Sequence, residues 1–286
     1  LPVHQRLARY YAGPLEELDK AEQHLKKILE IEPENEQALI ELEALFQASG
    51  DFDSLTAVLE QLCNVSESQE KQIEIYLKIG IIQQAHAGDS AAAVQFLEKA
   101  LALEPGHEEA LATLCEILQV SERWGALVEA LERRIKWASS PEEVTRFQYE
   151  MALLHVQHLD APDKAAEIYH DLLLNDPEQA DARDQLKALY AQQEQWEQYL
   201  DLLFEQLSGA SQPEVQCDTY REMAHICEAR IEDHDRAIEF RLQALSACPG
   251  HLETVLDLQL NYEKLSQWDE LNALIEAEAA NIADEQ

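Results

Sequence analysis

Apolar side chains along this chain of 286 residues recur three, four and seven positions apart, the period of amphipathic helices, and seldom at alternate positions as strands require. The stripes come in fours. The first helix of each predicted quartet carries Leu7, Ile79, Met151 and Met223 in successive copies, each followed by a small residue (Ala8, Gly80, Ala152, Ala224), then Tyr10, Ile82, Leu154 and Ile226. The second carries Ala21, Ala93, Ala165 and Ala237, then Leu29, Leu101, Leu173 and Leu245. An alanine column suggests a crossing point where nothing larger than a methyl group fits. The third helix holds Leu42, Leu114, Leu186 and Leu258, and the fourth has Leu59, Leu131, Leu203 and Ile275.

Scarce residues share that register. Pro33, Pro105, Pro177 and Pro249 are spaced by 72 residues, and so are the aromatics Phe52, Trp124, Trp196 and Trp268. The prolines read as terminators of the second helix, because the residue before proline is pushed out of α geometry. The aromatics open the fourth helix and read as core wedges. Pro141 and Pro213, each after a polar stretch, suit the first position of a helix behind a capping residue. The chain is therefore a repeat array with units 1–68, 69–140, 141–212 and 213–286. Its first residues already lie in register, so it reads as part of a longer array whose opening helix is truncated.

Composition narrows the reading. Gly is 8 and Pro 9 against an abundance of Ala, Leu, Glu and Gln, which favours an all-α chain. Asp and Glu number 57 against 21 Lys and Arg, a formal charge of −36 that repels nucleic-acid phosphates and anionic membrane surfaces. Neither is expected as a partner; the acid excess is a solvated face or receives a basic segment. Cys63, Cys115, Cys217, Cys227 and Cys248 are odd in number and lack CxxC spacing, so they read as reduced core thiols in a cytoplasmic setting. No apolar run is long enough to cross a membrane.

Candidate chemistry is sparse. There is no glycine-rich phosphate loop and no HExxH. His155 and His158 stand three apart near a helix end and read as a solvated pair rather than a metal site. Nothing selects a catalytic triad, and a cofactor is not expected.

Ile79, Gly80, Ala93, Leu97, Ala100 and Pro105, with one extra residue in the turn between helices, resemble the tetratricopeptide repeat. The 72-residue unit then resembles two such repeats, the second divergent because Leu127, Tyr199 and Leu271 stand where the family has alanine. The resemblance implies a right-handed α-solenoid superhelix of about sixteen helices whose first helices line a concave, partner-binding face. Carried over, that face holds Gln5 and Arg9, Ile40, Leu77 and Ile81, Tyr149 and Leu153 with Arg146 at the rim, Arg221 and His225, and Leu256 and Leu260. The Lys/Asn clamp used by chaperone-binding members is absent, since Gln5, Leu77, Tyr149 and Arg221 occupy one of its positions and Arg9, Ile81, Leu153 and His225 the other. An apolar stripe with a few basic residues remains, suited to an amphipathic or extended apolar segment. The expectation is a non-catalytic scaffold binding a protein or peptide segment; the alternative is a structural spacer or an arm that self-associates through its terminal helices.

Overall fold

A computed structural model describes residues 2–13 and 17–284, with side chains through residue 277. Among the described residues every regular element is helical. The chain forms two compact units, residues 1–160 and 161–286.

The first unit contains α1 (Pro2–Ala12), α2 (Leu18–Ile31), α3 (Glu36–Ser49), α4 (Phe52–Val65), α5 (Gln69–Ile82), α6 (Ser90–Leu103), α7 (Glu108–Val120), α8 (Trp124–Trp137) and α9 (Pro141–Gln157). Each packs on the next in sequence. The second unit contains α10 (Pro162–Asn175), α11 (Ala180–Gln192), α12 (Trp196–Gly209), α13 (Pro213–Ile226), α14 (His234–Ala247), α15 (Leu252–Leu265) and α16 (Trp268–Asp284), again packed in order. The starts of α2, α6, α10 and α14 keep the 72-residue spacing read from the sequence, as do those of α4, α8, α12 and α16.

The helix starts follow local chemistry. Ser140 accepts the backbone N–H of Glu143, and Pro141 stands first in α9, as the pattern predicts. Pro213 also opens α13, but Gln212 before it makes no side-chain cap. Asn35, Asp51, Ser68, Asp89 and Asp233 cap α3, α4, α5, α6 and α14. Two columns of left-handed residues end helices at the same spacing: Gly50, Glu122, Glu194 and Ser266, and Gly88, Asp160 and Glu232. One π-helical turn, Gln83–Ala87, extends α5, and another, Cys227–Ile231, extends α13.

The core is built from the columns. Ala21, Ala93, Ala165 and Ala237 are all 0% exposed. The close approach they permit is seen at Gly80, where an added Cβ would sit 3.2 Å from Leu97 and 3.4 Å from the carbonyl of Ala93. Leu59, Leu131 and Leu203 are fully buried, whereas Ile275 in the same column is 48% exposed.

The aromatic column departs from the wedge expected of it. Phe52, Trp124 and Trp196 are only half-buried, and Trp268 is 57% exposed. Opening a helix, each ring lies at the edge of the stack, and in the first three a side chain lies over the ring. His86 stacks on Phe52 at 3.5 Å between centroids, His158 on Trp124 at 3.8 Å, and the Arg230 guanidinium lies 5.3 Å from the Trp196 ring. The covering residues form a column of their own, 72 residues apart.

Candidate functional site

In the first unit the predicted partner-facing residues fall on the odd-numbered helices. Ile40 on α3 and Ile81 on α5 are exposed at 42% and 47%. Leu77 is not: at 5% exposure it belongs to the core and shows only an edge. Its helix is apolar on more than one face, since Ile73, Ile75, Ile79 and Ile82 are buried too, and a spacing argument does not separate those faces. Tyr149 and Leu153 on α9 are half-buried. Arg9 and Arg146 are exposed; Arg9 reaches Glu41 at 3.0 Å, and Arg146 lies 4.8 Å from the ring of Phe147.

Leu77 and Ile81 share one wall of a cavity of about 410 Å3, with Ile82 beside them and Phe52 and Leu55 of α4 opposite. His86 closes one end, carried there by the π-helical turn. The rim is charged in both signs by Glu74, Lys78 and Glu109. Lys78 is held in place by Glu43 at 2.5 Å and Gln47 at 3.1 Å, so its ammonium is fixed over the cavity edge. The arrangement offers an apolar socket for one large side chain with polar contacts around it.

In the second unit the predicted residues lie on α13 and α15. Arg221 is half-buried and paired with Glu253 and, at 3.5 Å, Asp218; His225 is exposed. Leu256 and Leu260 are exposed at 48% and 54%. Leu252, one turn earlier and 69% exposed, extends them into a stripe that the sequence reading stopped short of. The i, i+4 series was its signal.

A second cavity, about 500 Å3, opens on the other side of the first unit between α2, α3 and α4, over Leu29, Phe46 and Val58. Ser54, Ala57 and Gln61 of α4 line it as well. One unit of the repeat further on, Arg133 fills the place of Gln61 and pairs with Glu98 at 2.8 Å.

His155 is buried, so it and His158 are not a solvated pair. Among the described residues no group of three His, Cys, Asp or Glu side chains is placed to hold a metal ion, and no helix is long and apolar enough to cross a membrane.

The helical hairpin made by α5 and α6 carries the decisive match: residues 73–107 fit the family model described as "Tetratricopeptide repeat". Residues 73–107 are thus similar to a tetratricopeptide repeat. The match spans Ile79, Gly80, Ala93, Leu97, Ala100 and Pro105, and among them Gly80 closely approaches Leu97 and Ala93. Among solved structures, the Naa15/Naa10 complex bound to HypK-THB is 15% identical with a TM-score of 0.49, over 92% of this chain. The chain spans only 38% of that protein's length. A tetratricopeptide repeat protein from Parabacteroides merdae is 16% identical with a TM-score of 0.39, over 90% of this chain and 98% of its own. YrrB, a TPR protein with an unusual peptide-binding site, is 17% identical with a TM-score of 0.34, over 67% of this chain and 97% of its own. No curated protein matches the chain.

Proposed function

We propose that this chain is a non-catalytic protein-interaction scaffold whose odd-numbered helices hold apolar side chains of a partner segment. The observation that carries the reading is the cavity beside Leu77 and Ile81, an apolar socket with a charged rim on the side where the family resemblance places its ligands. The exposed Leu252, Leu256 and Leu260 stripe on α15 supports it, because such a run on a strongly acidic surface is a natural contact for an amphipathic segment. Ile40, Arg9, Arg146, Tyr149, Leu153, Arg221 and His225 would flank these contacts in their own units. The net charge of −36 favours a segment whose polar face is basic.

The test is a fluorescence-anisotropy titration with a labelled amphipathic helical peptide built of Leu and Lys. Ile81→Glu and the double variant Leu256→Glu/Leu260→Glu change exposed side chains and leave the fold intact, and each is expected to weaken binding about tenfold or more. Unchanged affinity in both variants, with unchanged circular dichroism, would remove the apolar contacts from the binding face.

A second reading, an arm that self-associates, is favoured by one observation: Trp268 and Ile275 are exposed on α16, whereas Leu59, Leu131 and Leu203 in the isoleucine's column are buried.

A further inference from the structure

Cys217 and Cys248 are brought together by the hairpin of α13 and α14. Cys217 lies on the buried side of the first turns of α13, at 2% exposure. Cys248 directly follows α14 as its C-terminal cap and is half-buried. Because the two helices are antiparallel neighbours, the end of α14 returns to the beginning of α13. The Cys248 thiol lies 3.5 Å from the carbonyl oxygen of Pro213, one helical turn before Cys217, which sets Cys248 beside the turn of α13 that carries Cys217. Both cysteines are free. Elsewhere in the array these positions hold nothing of the kind: Ile73 and Thr145 stand in the column of Cys217, and Glu32, Glu104 and Asp176 in that of Cys248.

We propose that Cys217 and Cys248 are a dithiol site that closes to a reversible disulfide on exposure to a small-molecule disulfide such as oxidised glutathione. The roles follow from burial. Cys248 is the reachable thiol, and its thiolate attacks one sulfur of the oxidant. A mixed S–S bond forms and one glutathione thiolate leaves, taking up the proton that Cys248 lost. Burial, with the neighbouring Cys248 thiol, pushes Cys217 up to about 11, so it stays protonated and shielded until the mixed disulfide stands beside it. It then gives up its proton and attacks the Cys248 sulfur. The mixed bond breaks and the second glutathione leaves, protonated in turn. The two protein thiols are oxidised by two electrons and the glutathione disulfide is reduced to two thiols, so the exchange balances without another reactant.

The closed bond would staple the open end of the hairpin, next to the turn of Pro249, left-handed Gly250 and His251 that leads into α15. It would also remove conformations from the unfolded chain. The proposal does not depend on partner binding.

The experiment incubates the fully reduced chain with oxidised glutathione and reads intact mass, non-reducing peptide maps and thermal melting. Expected are a loss of two hydrogens, one cross-linked peptide pair containing Cys217 and Cys248, a monomer on a non-reducing gel, and a melting midpoint raised by several degrees, reversed by dithiothreitol. Cys248→Ser is expected to abolish the reaction. Cys217→Ser is expected to stop it at one added glutathionyl group on Cys248. A wild-type chain that stays reduced, stops at the mixed disulfide, or cross-links other cysteines would overturn the assignment.

Discussion

At the level of single residues, the sharpest departure from what the pattern announces is backbone handedness. The turns before α4, α8, α12 and α16 were readable as polar, yet only Gly50 among Gly50, Glu122, Glu194 and Ser266 signals a left-handed residue by its type. The others adopt it under the pull of the flanking helices, against the steric cost of a Cβ, about 1 kcal/mol. Glu122 sits at φ 54° with its side chain exposed, so Glu122→Gly relieves that strain and loses no packing. Part of the gain is offset by the freer unfolded chain, and the net stabilisation expected is about 0.5 kcal/mol. Gly50→Ala is expected to destabilise by about 1 kcal/mol, since it installs the same strain. Urea denaturation followed by circular dichroism checks both.

At the level of the helix, much was legible. Pro141 and Pro213 start their helices where expected, the aromatic column stands at the first position of α4, α8, α12 and α16, and the alanine column is fully buried. These signals are local: a proline ring or a methyl-sized gap acts the same in every copy. The candidate site was less legible, because whether Leu77 or Ile81 faces outward depends on how neighbouring helices rotate, and both satisfy the same period. The core of α14 shows another limit. Leu25, Leu97 and Tyr169 are buried in one column, and Arg241, 5% exposed, occupies its fourth place. The guanidinium pairs with Glu228 at 2.6 Å, and Lys264 reaches the same carboxylate at 3.1 Å. Burial raises the proton affinity of Glu228, but the hydrogen bonds from Arg241 and Lys264 outweigh it and hold the carboxyl below its ordinary 4.5. Its folded-state pKa is depressed, so the stability it contributes is present above about pH 4.5 and is lost as pH falls through the folded value. Arg241→Ala leaves that carboxylate without its main partner and is expected to cost about 3–5 kcal/mol at pH 7. Arg241→Leu with Glu228→Gln restores an apolar column and is expected to recover most of the loss and flatten the acid limb of a stability–pH curve.

At the level of the whole molecule, charge governs encounters. A net −36 makes copies of the chain repel one another over a Debye length, about 10 Å at 0.1 M salt. Self-association through exposed Trp268 and Ile275 is therefore expected only when that repulsion is screened. Light scattering should show a mass that rises with salt and protein concentration, and Ile275→Lys should hold it at the monomer value. A mass independent of salt in the parent chain would set the self-associating reading aside. The order of helices was legible at this scale because a repeat writes its period into every scarce residue. The cavities beside Leu77 and over Leu29 were not, since each is lined by side chains from more than one helix.

The stacked pair of Trp124 and His158 has an optical consequence. An imidazole lies flat on the indole, at 3.8 Å between centroids and 10° between planes, so the emission of Trp124 is expected to depend on that contact. With Trp137, Trp196 and Trp268 replaced by Phe, Trp124 becomes a native fluorophore whose emission changes when α8 and α9 separate, giving this part of the array a built-in gauge of its own opening.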